Sequence, residues 1–358
     1  MLKNIKAYLR RNLISLSVTI ICIYALFLRL MRLHQHALWG DEYFQLRMLQ
    51  GTFLDILKNL PAGDICSYLE GDYYLMYPFF KIFAYNKWGL AIPHIIATVA
   101  GFYLLYLICK RYLKTPWAYF ITFGIVCFNA TLILHATEIR AYAVLPTLAL
   151  GTFYLFQRMA DLHFKLSPAK KIGASMFFVA VIWFHVYGVV MFFSCLLFTI
   201  LDRYKEKDFK AYFKKMILFS GAVLCVAMPL WLYSVLGPHL DVAENKYDLF
   251  SYIPNPFYNI VGFLKGIFGS LIGYKKLYFL LLGVIWPFIL HYKERSKQLL
   301  FLVCLIVIPL GIILLFDFFG KYLYMQRQFI WVMPFFALFL GWAWDSFFLK
   351  LINRSLQR

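Results

Sequence analysis

The stretch "LISLSVTIICIYALFLRL", residues 13–30, is almost entirely apolar over a length that suits a membrane crossing. About 20 such residues in a helix span a hydrocarbon core roughly 30 Å thick. The run follows a basic start, as in a signal peptide. However, it exceeds the apolar region of a signal peptide, and no small-residue cleavage site follows it. The sequence therefore predicts a retained first transmembrane helix.

The composition of the whole chain agrees with this prediction. Its 358 residues are 63% hydrophobic and 15% charged, whereas a soluble domain is nearer half apolar and a quarter charged. We therefore predict an all-α polytopic membrane protein that forms one domain over 1–358, with extracytoplasmic loops at about 31–90 and 237–276. The ten predicted spans lie at about 12–30, 91–109, 116–134, 141–158, 172–184, 187–201, 216–236, 277–292, 298–316 and 329–349.

The charge distribution predicts the orientation. The net charge is +19, and the face that carries the N-terminus holds 23 of the 36 basic residues but 6 of the 17 acidic ones. Basic loops stay in the cytoplasm, so both termini are expected there, in what is predicted to be a bacterial inner (plasma) membrane. The positive charge then orients the chain and does not indicate nucleic-acid binding. The cytoplasmic loops are too short for a soluble catalytic domain, so any chemistry is expected outside or within the membrane.

Cysteine usage argues against a covalent or metal framework. Six of the seven cysteines lie in or at the ends of apolar runs, and Cys66 alone falls in a predicted loop. Neither a set of disulfides nor a zinc site follows from this spacing.

Two adjacent carboxylates, Asp41 and Glu42, follow the first span in "HALWGDEYFQ", residues 36–45. Apolar residues then recur at helical spacing through Leu60, which predicts an amphipathic helix on the membrane surface. A second such helix is predicted through "DYYLMYPFFKIF", residues 72–83. Asp41 suits the N-cap of the first helix. A cap needs one acceptor, however, and two interfacial carboxylates repel each other, so the pair also suits a base or a site for a hydroxyl or cation.

Other charged residues fall on the same predicted outer face. Glu138 and Arg140 lie between two spans, either as a surface ion pair of little energetic weight or as part of a site. Lys321 and Arg327 precede the last span, against the orientation bias. They suit a lipid headgroup or a substrate phosphate, and the arginine fork fits phosphate well. His185, at a tight turn, suits an interfacial histidine or a ligand.

These stretches resemble, in order, motifs of the GT-C superfamily of membrane glycosyltransferases. The most similar branch includes dolichyl-phosphate-mannose protein mannosyltransferases and bacterial lipid A aminoarabinose transferases. "LWGDEYF" (38–44) is similar to its aromatic–Asp–Glu signature, and "DYYLMYPFFKIF" to its Tyr-Tyr-Leu-Leu helix. "WGLAIPHIIATVAGFYLLYLICKRY" (88–112) resembles its second span. "HATEIRAYAVLPTLAL" (135–150) resembles its Glu-x-Arg-x-Tyr motif, "WFHVYGVV" (183–190) its His-x-Tyr-Gly turn, and "MQRQFIWVMPFFALFLG" (325–341) its Arg-containing start of a late span.

The resemblance covers most of residues 20–200 and the C-terminal motif, while 205–315 matches in hydropathy alone. Many relatives carry a proline pair before the double tyrosine, where this chain has "LEGDYY" (69–74).

The resemblance implies that a sugar moves from a polyprenyl-phosphate donor to an extracytoplasmic glycan or glycolipid acceptor, with inversion. Asp41 would be the catalytic base, with Glu42 beside it positioning the acceptor or a cation. The implied substrate-binding residues are Arg140, Arg327, Lys321, Glu138, Tyr142, His185, Asp72, Tyr73 and Tyr74. The superfamily has metal-dependent and metal-independent members. A divalent metal held by Asp41, Glu42, Glu138 or His185 therefore stays open.

Two other classes of protein remain as alternatives. A transporter, lipid flippase or polysaccharide polymerase would carry charged residues or broken helices inside its spans, whereas the predicted spans are nearly free of carboxylates. A scaffold subunit of an envelope complex is the third possibility.

Overall fold

The structure is a computed structural model that describes residues 2–56, 71–163, 165–236, 296–312, 315 and 326–356. Side chains are described within these ranges except for residues 2–11, 41, 44, 233–236, 326–328 and 350–356. The predicted second loop, the predicted span at 277–292, Cys66 and Lys321 lie outside the described residues.

Every regular element within these ranges is helical. Short 3-10 turns at Ala141–Ala143 and Gln326–Val332 precede two of the helices. The helices in chain order are α1 (Leu2–Gln35), α2 (Gly40–Met48), α3 (Gly71–Phe83), α4 (Lys87–Tyr112), α5 (Pro116–Phe128), α6 (Ala130–His135), α7 (Leu145–Asp161), α8 (Pro168–Phe184), α9 (Gly188–Asp202), α10 (Phe209–Leu236), α11 (Ser296–Ile312, with a π-helical turn at Val303–Val307) and α12 (Met333–Leu356).

The helices have the character of a membrane protein. Among the described residues, four segments are long and apolar enough to cross a bilayer: Asn12–Gln35, Lys87–Tyr112, Phe209–Leu232 and Phe329–Leu349. A helix also lies within each predicted span that falls in the described ranges, but several of these are shorter. The prediction of an α-helical membrane protein is confirmed, while the number of ten spans stays a prediction.

The helices on either side extend into the first predicted loop, whose bounds stay a prediction. α1 continues to Gln35, and α4 begins at Lys87. The helix predicted from Asp41 through Leu60 is interrupted, because α2 ends at Met48. Thr52 then opens a new helical turn, donating through its backbone N–H and its hydroxyl to Asp55 Oδ2, each at 2.7 Å.

Two further predictions concern the second amphipathic helix and the span at 116–134. The second amphipathic helix is confirmed as α3, which runs through Pro78. The predicted span at 116–134 is broken into α5 and α6 at Asn129, whose side chain accepts a hydrogen bond from Leu132 N–H. Such capping by asparagine starts a new helix where the previous one ends.

Two apolar cores hold the described helices together. The larger one joins α1 and α4–α12 and is rich in buried phenylalanines, among them Phe156 and Phe178, which stack at 4.4 Å. The smaller one lies under α2 and α3 and consists of Leu46, Leu49, Ile56, Tyr73, Met76, Phe80, Leu90 and Ile139. Because it includes Ile139, the smaller core fixes α2 and α3 to the segment between α6 and α7.

The closest helix pair is α5 with α12. A Cβ at Gly341 would clash with the Thr122 hydroxyl, so the two backbones approach through this glycine. Asp345 of α12 is buried and accepts hydrogen bonds from the backbone N–H groups of Lys114, at 2.9 Å, and Thr115, at 2.6 Å, just before α5 begins. A carboxylate is favourable there because the first N–H groups of a helix lack partners and the helix dipole is positive.

We expect Asp345→Ala to lower stability by about 1–3 kcal/mol, because the buried Thr115 N–H loses its partner, while the Lys114 N–H is only partly buried. The change should appear as a lower melting temperature of the detergent-solubilised protein. Asp208→Asn is the matched control, since its side chain is 54% exposed and asparagine keeps a capping oxygen at the residue before α10. Equal melting temperatures for the two variants would contradict the role given to Asp345.

Candidate functional site

Glu42 joins three parts of the chain. Its side chain is fully buried, Oε1 accepts from Ile139 N–H at 2.7 Å, and Oε2 accepts from Trp39 N–H at 3.1 Å. The same Oε2 lies 3.0 Å from His36 Nε2. These bonds connect the end of α1, the start of α2 and the segment before α7. They give Glu42 a structural role, and its predicted catalytic role stays a prediction.

Asp41 lies in the first turn of α2 but does not cap it. The helix begins at Gly40, and its N-cap is Trp39, so the prediction of Asp41 as the N-cap is wrong. The physical reason is that Glu42, three residues after Trp39, accepts from the Trp39 N–H and so fixes the start of the helix before Asp41. Asp41 is thereby the second residue of the helix, where the dipole still favours a carboxylate. Its side chain lies outside what the structure describes.

Glu138 and Arg140 are buried rather than exposed. Their residues are 5% and 4% exposed, so the interpretation as a surface ion pair is wrong. Glu138 Oε2 lies 2.7 Å from His135 Nδ1, and the Arg140 guanidinium carbon lies 5.9 Å from the centre of the Tyr142 ring. The segment that carries them enters the protein because its neighbour Ile139 packs in the smaller core.

Tyr142 lies between two histidines. Its ring centre is 5.9 Å from that of His135 and 6.1 Å from that of His185. His185 caps the end of α8, and Gly188 opens α9 directly after it because a Cβ there would clash with the Val181 carbonyl oxygen. The turn predicted from "WFHVYGVV" is therefore present and brings His185 onto Tyr142.

His185 is held as a neutral hydrogen-bond donor. Burial, and secondly the positive charge of Arg140, lower the pKa of His185 to about 3. Its Nδ1 accepts from Tyr187 N–H at 3.2 Å, so the ring proton of the neutral form resides on Nε2. A neutral donor beside a buried arginine suits an oxygen-rich or anionic ligand.

The residues of the "DYY" motif hold α2 from its other side. Asp72 is fully buried, with Oδ1 at 3.0 Å from His94 Nε2 and Oδ2 accepting from Gln45 Nε2 at 2.6 Å. Tyr73 packs in the smaller core. Tyr74 is half-buried, with its ring edge on Phe53, and burial raises the pKa of its hydroxyl. Substrate binding by these three residues stays a prediction.

Arg29 is a buried cation that the sequence analysis missed. It is 2% exposed and donates to the carbonyl oxygens of Ala25, Val126 and Cys127, at 2.9, 3.4 and 3.1 Å. Its Nε has no hydrogen-bond partner, and no carboxylate among the described side chains forms an ion pair with it. The signal was visible, because Arg29 is the one charged residue in the run 13–30.

A mostly apolar cleft lies next to Arg29. Its cavity volume is about 40 Å³, and its lining includes Phe102, Thr98 and Thr147. Tyr142 also lines it, so the cleft adjoins the layer of His135, Arg140 and His185. A single cation in an apolar cleft suits an anionic group that carries an apolar tail.

The predicted site residues thus separate into three sets. Glu42, Glu138, Arg140, Tyr142 and His185 come together at one end of the helices. Asp72, Tyr73 and Tyr74 lie on the other side of α2. The backbone of Arg327 belongs to the 3-10 turn whose Ile330 lines the cleft, although its side chain is not described.

A possible metal group lies elsewhere. Within the described part of the chain, the ligand atoms close enough to share an ion belong to His163, Glu206 and Asp208. Two of these residues are exposed, and Glu206 also pairs with Arg203 at 3.0 Å. This group is not part of the Glu42 cluster, and metal binding by Asp41 stays open.

The site and fold define an α-helical membrane protein with a buried charged layer above an apolar cleft. No protein-family model matches the chain, and neither the curated proteins nor the solved structures give a match. The resemblance to glycosyltransferases therefore rests on the sequence motifs.

The low pKa of His185 predicts acid sensitivity. Its folded-state pKa of about 3 lies below the unfolded value of about 6.5, so its contribution to stability is complete above pH 6.5 and is lost as the pH falls towards 3. Between pH 7 and pH 5 the loss is about 2 kcal/mol. We expect His185→Gln to reduce the fall in melting temperature over this range. His163→Gln, at a side chain that is 46% exposed, should leave the fall unchanged. An unaltered pH profile in His185→Gln would contradict the assignment.

Proposed function

We propose that this protein is a membrane glycosyltransferase that moves a sugar from a polyprenyl-phosphate donor to a glycan or glycolipid acceptor. The observation that carries the proposal is the position of Arg29. This buried cation, without an acid partner among the described side chains, lines an apolar cleft that adjoins the Glu42–Arg140–His185 layer. A lipid-phosphate sugar needs an apolar surface for its chain, a cation for its phosphate and polar groups for its sugar, arranged in that order.

Asp41 is the proposed base. An acceptor hydroxyl becomes a strong nucleophile when a positioned carboxylate removes its proton. Support comes from α2, which Glu42 fixes on one side and Gln45 on the other, so the first turn that carries Asp41 has a defined position. Direct attack by the hydroxyl inverts the anomeric carbon.

The leaving lipid phosphate gains negative charge as the bond to the sugar breaks. Cations aimed at this charge lower the barrier. The proposed contributors are Arg29 and Arg140, with Arg327 and Lys321 as further candidates from the sequence. His185, through its Nε2 proton, is proposed to donate to a sugar or phosphate oxygen.

The proposed location follows from charge. The end of the protein that carries Asp41 and Glu42 is proposed to face outward, and the end with the basic loops is proposed to face the cytoplasm. The membrane is proposed to be a bacterial inner membrane, with both termini cytoplasmic. The proposed partners are the lipid-linked donor, the glycan or glycolipid acceptor and the surrounding lipids.

A transporter, flippase or polymerase is the second candidate, and two observations favour it. Arg29 is a charge buried within a candidate membrane helix, and the predicted span at 116–134 is broken at Asn129. Both features are common in transporters. A covalent transfer product would separate an enzyme from a transporter or flippase.

Asp41→Asn tests the proposed base. The amide cannot take a proton at neutral pH, so transfer should fall by ~10²–10⁴-fold. The fold should persist, because the lost helix-dipole interaction is worth only about 0.3–1 kcal/mol. The measurement is sugar transfer by the reconstituted protein from a panel of polyprenyl-phosphate sugars to extracted envelope lipids and glycans.

Glu42→Gln is the comparison for this test. Its carboxylate accepts several hydrogen bonds, so its replacement should lower the melting temperature more than Asp41→Asn does. A folded and fully active Asp41→Asn protein would remove the proposed mechanism.

Arg29→Met tests the proposed phosphate contact. Binding of polyprenyl phosphate should weaken strongly, while binding of the uncharged polyprenol should change little. Arg29→Lys should bind better than Arg29→Met, because it keeps the charge and can still donate to carbonyl oxygens. The matched control is Arg32→Met, which removes a charge one turn further along α1, outside the cleft lining. Unchanged phosphate binding by a folded Arg29→Met protein would exclude the contact.

A further inference from the structure

A second groove lies at the opposite end of the molecule from the site. It runs between the final turns of α4 and α7 and has a cavity volume of about 260 Å³. The first residue of α4, Lys87, donates to the carbonyl oxygens of His34 and His36 at the site end. A helix of 26 residues rises about 39 Å, so the groove and the site are separated by about the thickness of a membrane.

The groove carries an excess of positive charge. Lys110, Arg111 and Arg158 line it, and Asp161 is the one acid in its lining. Both oxygens of Asp161 are already occupied, Oδ2 by Arg111 at 2.6 Å and Oδ1 by Arg203 at 2.5 Å. Lys110 and Arg158 are exposed, and no carboxylate among the described side chains forms an ion pair with either. Two cations at the mouth therefore lack a counter-charge.

The inner wall of the groove has a different chemistry. Leu107 and Tyr154 supply half-buried apolar surface, whereas Phe153 in the same lining is fully buried. Gln157, also in the lining, donates its side-chain amide N–H to the Thr199 hydroxyl at 2.9 Å. A soluble anion would leave this apolar wall in contact with water. An amphiphile with one anionic headgroup and an apolar chain satisfies both parts of the groove.

We propose that this groove is a binding site for an anionic phospholipid. The phosphate of the headgroup lies between Lys110 and Arg158, and one acyl chain lies against Leu107 and Tyr154. The proposal is independent of the glycosyltransferase reaction. It agrees with the predicted orientation, because the cytoplasmic leaflet carries anionic lipids that attract basic residues near the surface.

The test is lipid binding to the full chain in detergent, followed by native mass spectrometry with phosphatidylglycerol and, for comparison, phosphatidylcholine. The double variant Lys110→Gln/Arg158→Gln should bind phosphatidylglycerol about 10- to 30-fold more weakly, since each basic residue near the headgroup contributes several-fold to affinity. Binding of phosphatidylcholine should hardly change. The matched control, Lys170→Gln/Lys171→Gln, removes the same charge from exposed positions in the first turn of α8, outside the groove.

A third variant separates shape from charge. Leu107→Trp fills the apolar wall and leaves every cation in place, so it should weaken phosphatidylglycerol binding, while the melting temperature reports that the protein remains folded. Equal losses in the two double variants would overturn the proposal in favour of diffuse surface attraction. Competition by glycerol phosphate as strong as that by the lipid would also overturn it, in favour of a site for a soluble anion.

Discussion

The hydrogen bonds of the Glu42 carboxylate are the interaction on which the arrangement of this site depends. A carboxylate buried without donors would be strongly unfavourable, and here two backbone N–H groups and a histidine surround it. Those donors come from the end of α1, the N-cap of α2 and the segment that carries Glu138 and Arg140. Glu42 therefore holds the start of α2 against the segment that contains Arg140.

Asp72 repeats this principle on the other side of α2. It binds Gln45 and His94, so α2 is attached to α3 and α4 as well as to α1. Reactive groups need supports that are themselves held by packing and hydrogen bonds. In this protein the supports are acids and histidines, and two of the groups proposed to react or bind ligands, Asp41 and Arg140, lie next to them.

Local sequence patterns predicted the helices but not their long-range contacts. Helical spacing located α3 and the start of α2, and apolar length located the membrane helices. The same spacing failed beyond Met48, because Thr52 and Asp55 form a local cap that competes with continuation of the helix. The break at Asn129 has a similar cause. Threonine, aspartate and asparagine are capping residues that can be recognised in a sequence. Here the apolar pattern around them favoured a continuous helix.

The roles of individual charges were harder to predict. The bond from Glu42 to Ile139 joins residues 97 positions apart, and no periodicity encodes such a contact. Glu138 and Arg140 suited either a surface ion pair or a site because they flank spans, and Ile139 between them packs in the smaller core and draws them inside. Arg29 was overlooked because the run around it was interpreted by its average hydropathy.

The Asp345 contact has a consequence for how the chain is made. The acceptor for Thr115 N–H lies 230 residues later in the sequence, on the last described helix. During synthesis, α5 therefore emerges with the backbone before its first turn lacking this partner, and it keeps that deficit until Asp345 has left the ribosome. A chain without α12 would hold α4 and α5 but not their native junction. The insertion of α12 thus completes a turn that was made 230 residues earlier.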